Sequence, residues 1–438
     1  MTGTATRIAA GSCVGVVAAF AAAVFVSNSA FAATYTVTTN ADSGTGSLRD
    51  AIASVNSAGG TNTIDFASGA NGTITLTTGE LHLTGSQTLT ITGNGASNTV
   101  IDGDALSRVF EVDSGVTLDL SGVTVQNGLV ASADGGGILV NGNLNLSDSS
   151  ITGNVSNDDY GAGIANGSGT VTITQTTVSD NTGTGGSGEG AVNFGGTLNI
   201  VDSTFVGNDD LSSNSGGAIF SEGAGTVNVT DSTFDDNTAG EGGAINAEAG
   251  SVSIVDSTLA SNPGDDLYNS GDATITVTGS ILADTGDGQS CSAAVTDGGF
   301  NIDDGTSCGF SAGTDHQSTG PDLAALASNG GPTQTMALNT GSPAIDAGQS
   351  GAACTSVNGS LDQRGFQRPD VAGTACDIGA YEFGAAAPTP TPATVPVPSS
   401  GAGTGSAPAS PWGILAIFGI AGFLVIMAGL RGRNRRPI

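Results

Sequence analysis

The chain has 438 residues, 71 of them Gly, and carries 40 acidic side chains against 9 basic ones for a net charge of −31. Glycine at that level without a Gly-X-Y period excludes collagen. So acidic a body repels phosphate backbones, which argues against nucleic-acid binding.

In chain order, Arg7 precedes an apolar stretch over residues 8–26 that ends at Ala30-Phe31-Ala32, a small-residue cleavage signature. Residues 1–32 therefore read as a secretory signal peptide, with an uncleaved N-terminal anchor as the alternative. Cys13 lies inside the apolar stretch without a lipobox and is not read as a lipid anchor. Residues 33–115 read as an N-terminal cap and first coils. Ser47 to Asp50 has the form of a capping box, and Leu48, Ile52 and Val55 follow at helical spacing. This predicts a short amphipathic helix over 48–57 that covers the open N-terminal end of the coil.

Residues 116–285 repeat with a period of about 27 residues. Asn127, Asn154, Asn181, Asn208, Asn237 and Asn262 mark one phase. A second phase is marked by Gly135-Gly-Gly-Ile138, Gly161-Ala-Gly-Ile164, Glu189-Gly-Ala-Val192, Gly216-Gly-Ala-Ile219 and Gly242-Gly-Ala-Ile245. Between them recur alternating triplets such as Leu144-Asn-Leu146 and Val171-Thr-Ile173, the period of a half-buried strand. Seven residues after each triplet begins stands another apolar residue: Ile151, Val178, Phe205, Phe234 and Leu259. An odd offset cannot stay on one face of a flat strand, so a corner intervenes, at Asp-Ser, Gln-Thr or Gly-Ser.

A unit this short cannot bury its own apolar face and must stack. The expected fold is all-β: a single-stranded, right-handed parallel β-helix of the pectate-lyase-like kind, with an N-terminal cap helix and a C-terminal transmembrane helix. Equivalent residues should form columns, with Ile138, Ile164, Val192, Ile219 and Ile245 facing inward and the asparagines forming a side-chain ladder. A β-sandwich would not repeat the same markers in register, and a leucine-rich repeat would need helices between its strands.

Cys291, Cys308, Cys354 and Cys376 lie beyond the repeats, even in number and in an exported context, so disulfides are expected. Sequential pairing is simplest, but three connectivities are open. Zinc is the weaker alternative, since no C-x-x-C pair exists and only His316 is near. Residues 286–384 read as C-terminal coils and a disulfide-bearing cap that closes the far end. Residues 385–411, rich in Pro, Ala, Thr and Ser, read as a stalk. Residues 412–430 are apolar and long enough to span a bilayer. The basic tail 431–438, with Arg431, Arg433, Arg435 and Arg436, would stay cytoplasmic. A tail removed by a sorting enzyme is the alternative.

The Gly-Gly-Ala-Ile and Phe-x-x-Asn repeats (216–219, 242–245; 205–208, 234–237) resemble those of chlamydial polymorphic outer membrane proteins, which are adhesion-associated passenger β-helices. The C-terminal barrel of those proteins is lacking here. Gly330-Gly-Pro-Thr-Gln-Thr-Met-Ala-Leu338, Gly341-Ser-Pro-Ala-Ile-Asp-Ala-Gly348, Asp362-Gln-Arg-Gly365 and Cys376-Asp-Ile-Gly-Ala-Tyr-Glu382 resemble a choice-of-anchor Q region of bacterial surface proteins. Ser47-Leu-Arg-Asp-Ala-Ile52 is similar to the CSLREA segment that opens such proteins, without its Cys. These resemblances imply a surface β-helix and carry no catalytic residue.

Lyase chemistry needs a basic group, and residues 109–363 contain no Arg or Lys. A hydrolase needs two suitably spaced carboxylates. Asp158-Asp159, Asp209-Asp210, Asp235-Asp236, Asp265-Asp266 and Asp303-Asp304 are candidates, yet most sit in turn segments between the repeat markers, where Asp is expected. Structural calcium is compatible with so many carboxylates, but no EF-hand loop is present and no ligands can be named. The expectation is a non-enzymatic, adhesin-like surface rod without a cofactor. It would display turns at 155–162, 182–190, 209–216 and 238–243 to a glycan, matrix or neighbouring cell. A polysaccharide hydrolase is the alternative.

Overall fold

A computed structural model of the chain describes residues 32–212, 215–283, 289–351, 353–354, 360–371 and 374–387. The expected signal peptide, transmembrane segment and basic tail, and all but the first residues of the stalk, lie outside the described residues. Among the described residues no helix is long and apolar enough to cross a membrane.

The described residues form a parallel β-solenoid. One coil runs through strands Val116–Ser121, Thr124–Gln126, Leu129–Val130 and Ile138–Val140, and each pairs in parallel with its counterpart one coil later. Repetition builds a first and a second sheet of 11 strands each, a third of 8 and a short fourth of 4. Alternation decides what lies inside. Leu144 pairs with Val171 and Leu146 with Ile173, and all four are buried. The second sheet contributes a column through Ile151, Val178, Phe205, Phe234 and Leu259, in which Phe205 and Phe234 stack with centroids 5.0 Å apart. Each residue that alone would expose an apolar face is thus covered by its equivalents above and below.

Two kinds of corner turn the chain. At the first, a left-handed residue (Asp202, φ 52°; Asp231, φ 43°) precedes a buried hydroxyl. Ser203 N–H donates to Ser232 Oγ and Ser232 N–H to Ser257 Oγ, so hydroxyls stack as a ladder. At the second corner stands the amide ladder. Asn181 Nδ2 donates to Asn208 Oδ1 at 2.9 Å, and Asn208 Nδ2 to Asn237 Oδ1 at 2.8 Å. Asp266 closes the ladder by accepting from Asn262 Nδ2 at 2.8 Å. Both ladders satisfy backbone N–H groups that the bend removes from the sheets.

Two expectations from the repeat need correction, each by one residue. Asn127 is not in the ladder. Gly128 holds that place, its N–H donating to Asn154 Oδ1 across 26 residues, while Asn127 takes the preceding left-handed position (φ 51°) with Gly153, Asp180, Gly207 and Asp236. Asn tolerates that conformation better than most residues, so it can stand at either position of the corner. Val192 is not in the inward column either. Ile164 pairs with Ala191, and Ala191 with Ile219, so the inner column passes through Ala191. A one-residue slip in a strand moves a side chain to the opposite face. Val192 therefore packs outside, against Ala165 and Phe220.

The N-terminal end is covered as expected. Helix Leu48–Ala58 buries Leu48, Ala51, Ile52 and Val55 over the first coil, and Ser47 caps it by accepting from Asp50 N–H at 3.1 Å. Arg49 fastens the helix to Asp42 (2.7 Å) and to the carbonyl of Glu80 (2.7 Å).

At the other end, Cys291, Cys308 and Phe310 join the main core and cap it. Disulfides link Cys291 to Cys308 and Cys354 to Cys376, the sequential pairing, with Cα atoms 4.9 and 5.7 Å apart. The rest of the C-terminal stretch does not close the end. It folds back along the outer face of the second sheet, where Met336, Leu338, Ala344 and Ile378 form a separate core with Ala260, Ile281 and Ile302. Gln363 binds Thr204 and Thr233, and Ala380 N–H binds Thr258 Oγ1. Those threonines stand on the outward face of successive strands. Fully buried Arg368 reaches Asp231 at 3.0 Å and the carbonyl of Gly379. Arg364 bridges Asp362 and lies between the rings of Phe366 and Tyr381. The motifs at 330–382 are the parts of a lateral strap.

Candidate functional site

The third sheet presents an unusual outer face. In a solvated three-residue strand, the middle position points outward and is ordinarily polar. Here Ile164-Ala-Asn166, Ala191-Val-Asn193 and Ile219-Phe-Ser221 place Ala165, Val192 and Phe220 there, on consecutive coils. All three are buried: Tyr160 and Phe194 pack against them, and Leu139 precedes Ala165 in the same outward column. Tyr160 rises from the turn before Gly161 and spans two coils. Its ring is stacked over Phe220 (centroids 5.8 Å, planes 11° apart) and meets the edge of Phe194 at 5.4 Å.

Beside this platform runs an open groove of about 460 Å³ lined by Tyr160, Gly185, Ser187, Ser215, Phe220, Gly240, Glu241 and Glu248. Six of these residues come from the turns at 155–162, 182–190, 209–216 and 238–243, and Phe220 and Glu248 come from the third sheet and the turn that follows it. Its charge is wholly acidic. Burial and the charges of Glu222 and Glu241 raise the Glu248 carboxyl. The charge of Glu241 is the main cause that raises the Tyr268 phenol, and burial followed by Glu222 raises that of Tyr160. The groove thus offers flat aromatic surface next to hydrogen-bond acceptors, and repels anions.

Most of the aspartate pairs from the sequence serve turns, strands or ladders, and one converges: Ser290 Oγ donates to Asp303 Oδ1 (3.0 Å) and Asp304 Oδ1 (3.2 Å). Asp209 and Asp210 are successive residues of a strand, one half-exposed and one buried. Side chains alternate, so the two carboxylates diverge. Asp236 is left-handed, and Asp158 likewise, in turns. Asp266 ends the amide ladder, and Asp303 accepts from Gly305 and Cys308 N–H groups in the last coils. The sequence reading missed the aromatic platform. Its signal was present in the apolar middle residues at 165, 192 and 220, but the misaligned Val192 hid it.

A second buried feature was also missed. Glu189 occupies the position held by Gly136, Ala162, Gly217 and Gly243 on neighbouring coils. It is fully buried against Gly183, with the Ala162 backbone N–H as a donor that meets its carboxyl. Burial, then the charge of Asp210, raises it well above the ordinary glutamate value.

No family model matches the chain, and no curated protein matches it. A solved structure titled "Crystal structure of pectate lyase Pel9A" is similar to it at 15% identity, with a TM-score of 0.48, covering 80% of this chain and 96% of that one. The two disulfides point to an extracellular or secreted setting.

Proposed function

We propose that this chain is an exported surface rod that binds a neutral or cationic glycan in the lateral groove beside Tyr160. The single observation that carries the reading is the stacked platform of Tyr160, Phe194 and Phe220 next to Glu222, Glu241 and Glu248. Apolar sugar faces pack on aromatic rings, and sugar hydroxyls or ammonium groups donate to carboxylates. An anionic polymer would meet only carboxylates there. The coil is taken as right-handed, the hand that strand twist favours for parallel crossovers. Export rests on residues 1–32 and tethering on residues 412–430, with 385–411 as the stalk.

Binding of the protein to chitosan, chitin, cellulose and polygalacturonate tests this. Retention on the neutral or cationic polymers is expected, with Tyr160→Ala reducing it. Preferential retention on polygalacturonate, or retention indifferent to Tyr160→Ala, refutes it.

Glu248 supports a second reading. Its raised carboxyl beside Glu222 and Glu241 has the character of a general acid in a polysaccharide hydrolase. Release of reducing ends by the wild-type chain, abolished in a folded Glu248→Gln variant, would favour that reading.

A further inference from the structure

The N-terminal part of the third sheet carries a different constellation on the same outward column. Strands Leu81–Leu83 and Phe110–Val112 pair in register, with His82 opposite Glu111. Their neighbours Leu81, Leu83, Phe110 and Val112 are buried, so His82 and Glu111 both point outward from adjacent coils. Asp113 follows where the strand ends and turns its carboxylate back to the histidine. His82 Nε2 lies 2.9 Å from Asp113 Oδ1 and 3.8 Å from Glu111 Oε2, and one ligand atom from each residue falls within 4.8 Å of the others.

We propose that His82, Glu111 and Asp113 form a surface site for a divalent transition metal, with Zn²⁺ as its natural probe. Nitrogen and carboxylate ligands bind zinc at about 2.0–2.2 Å. Ligand atoms around such an ion then stand roughly 3–4 Å apart, the range of the two His82 separations. One imidazole with two carboxylates suits a borderline ion and disfavours Ca²⁺, which takes oxygen ligands only.

The charges around the site point the same way. Glu80 and Glu111 both approach the Arg108 guanidinium, at 2.8 and 3.6 Å from Nη1. Two carboxylates, of Glu80 and Glu111, thus share one guanidinium, while that of Asp113 stands at His82. Arg108 is spread between Glu80 (2.8 Å), Glu111 (3.6 Å) and the carbonyls of Asp134 and Gly135. The His82 side chain is 44% exposed, which leaves coordination positions open to water or to a ligand.

Calorimetric titration of the metal-stripped full chain with ZnCl₂ tests the site. One ion per chain is expected, with proton release in buffers of different ionisation enthalpy, because the metal needs the unprotonated imidazole. His82→Gln and Glu111→Gln should each weaken binding by at least the roughly 10–100-fold that outer-shell changes cost. His316→Gln should leave it unchanged. X-ray absorption of the zinc-loaded wild-type chain gives a readout free of any folding defect in the variants, and a nitrogen-and-oxygen shell is expected. Lack of saturable zinc binding, a shell containing sulfur, or binding unaltered in folded His82→Gln would overturn the proposal.

Discussion

Replacing Asn208 by Ala removes one rung of the amide ladder and measures what that ladder contributes. Asn208 Nδ2 donates to Asn237 Oδ1 (2.8 Å) and to the carbonyl of Val178 (3.1 Å). Its Oδ1 accepts from Asn181 Nδ2 (2.9 Å) and from Asn181 N–H (3.3 Å). Each bond contributes about 1 kcal/mol net, and a buried donor left without an acceptor costs about 1–3 kcal/mol. The four bonds together predict a loss of about 4 kcal/mol, a large share of the roughly 5–15 kcal/mol that holds a domain. Asn127→Gly is the control, because the sequence repeat treats the two asparagines alike. Asn127 is exposed, makes one side-chain bond, to Asp102, and is strained at φ 51°. Relief of that strain by Gly, worth about 1 kcal/mol, offsets the lost bond and predicts a change near zero. Urea denaturation followed by circular dichroism reads both, and hydrogen exchange at Asn181 N–H reports the local opening. Equal losses in the two variants would refute the assignment of ladder and turn positions.

Other expectations rest on the strap and the core. Arg368→Met strands Asp231 as a buried charge without its partner, at about 3–5 kcal/mol. It should open residues 360–383 to proteolysis while the coils stay protected, and Asp231→Asn in the same chain should restore part of the loss. Glu189 holds its proton more tightly in the folded chain than in the unfolded one. The stability this confers is fully present below the unfolded value of 4.5 and is lost as pH rises through the raised folded value. Glu189→Gln should therefore leave stability at acid pH nearly unchanged and flatten its decline at higher pH, where the slope reaches up to ~1.4 kcal/mol per pH unit. Parallel wild-type and variant profiles would rule this out. Replacing Cys291 and Cys308 by Ser opens a loop with a sequence separation of 17 and should cost about 3 kcal/mol. The last coils should melt first in hydrogen exchange.

The parallel coil, its period and the capping helix were legible in the sequence because each is local. Alternation, a corner at an odd offset, and Ser47 before Leu48 all act within one turn of chain. The sequential cysteine pairs were legible as the simplest of three possibilities. Register was less secure, since Asn serves at two adjacent corner positions and Gly-rich segments slide without a local signal. A single step there moved Val192 from core to surface and concealed the platform under Tyr160. What tertiary structure alone decided depends on residues far apart in sequence. His82 meets Glu111 because strands one coil apart lie side by side. Arg368 meets Asp231, 137 residues away, because the C-terminal stretch turns back along the second sheet. Stacking fixes such neighbours through the length of each coil and the path of the strap, and no short motif records either.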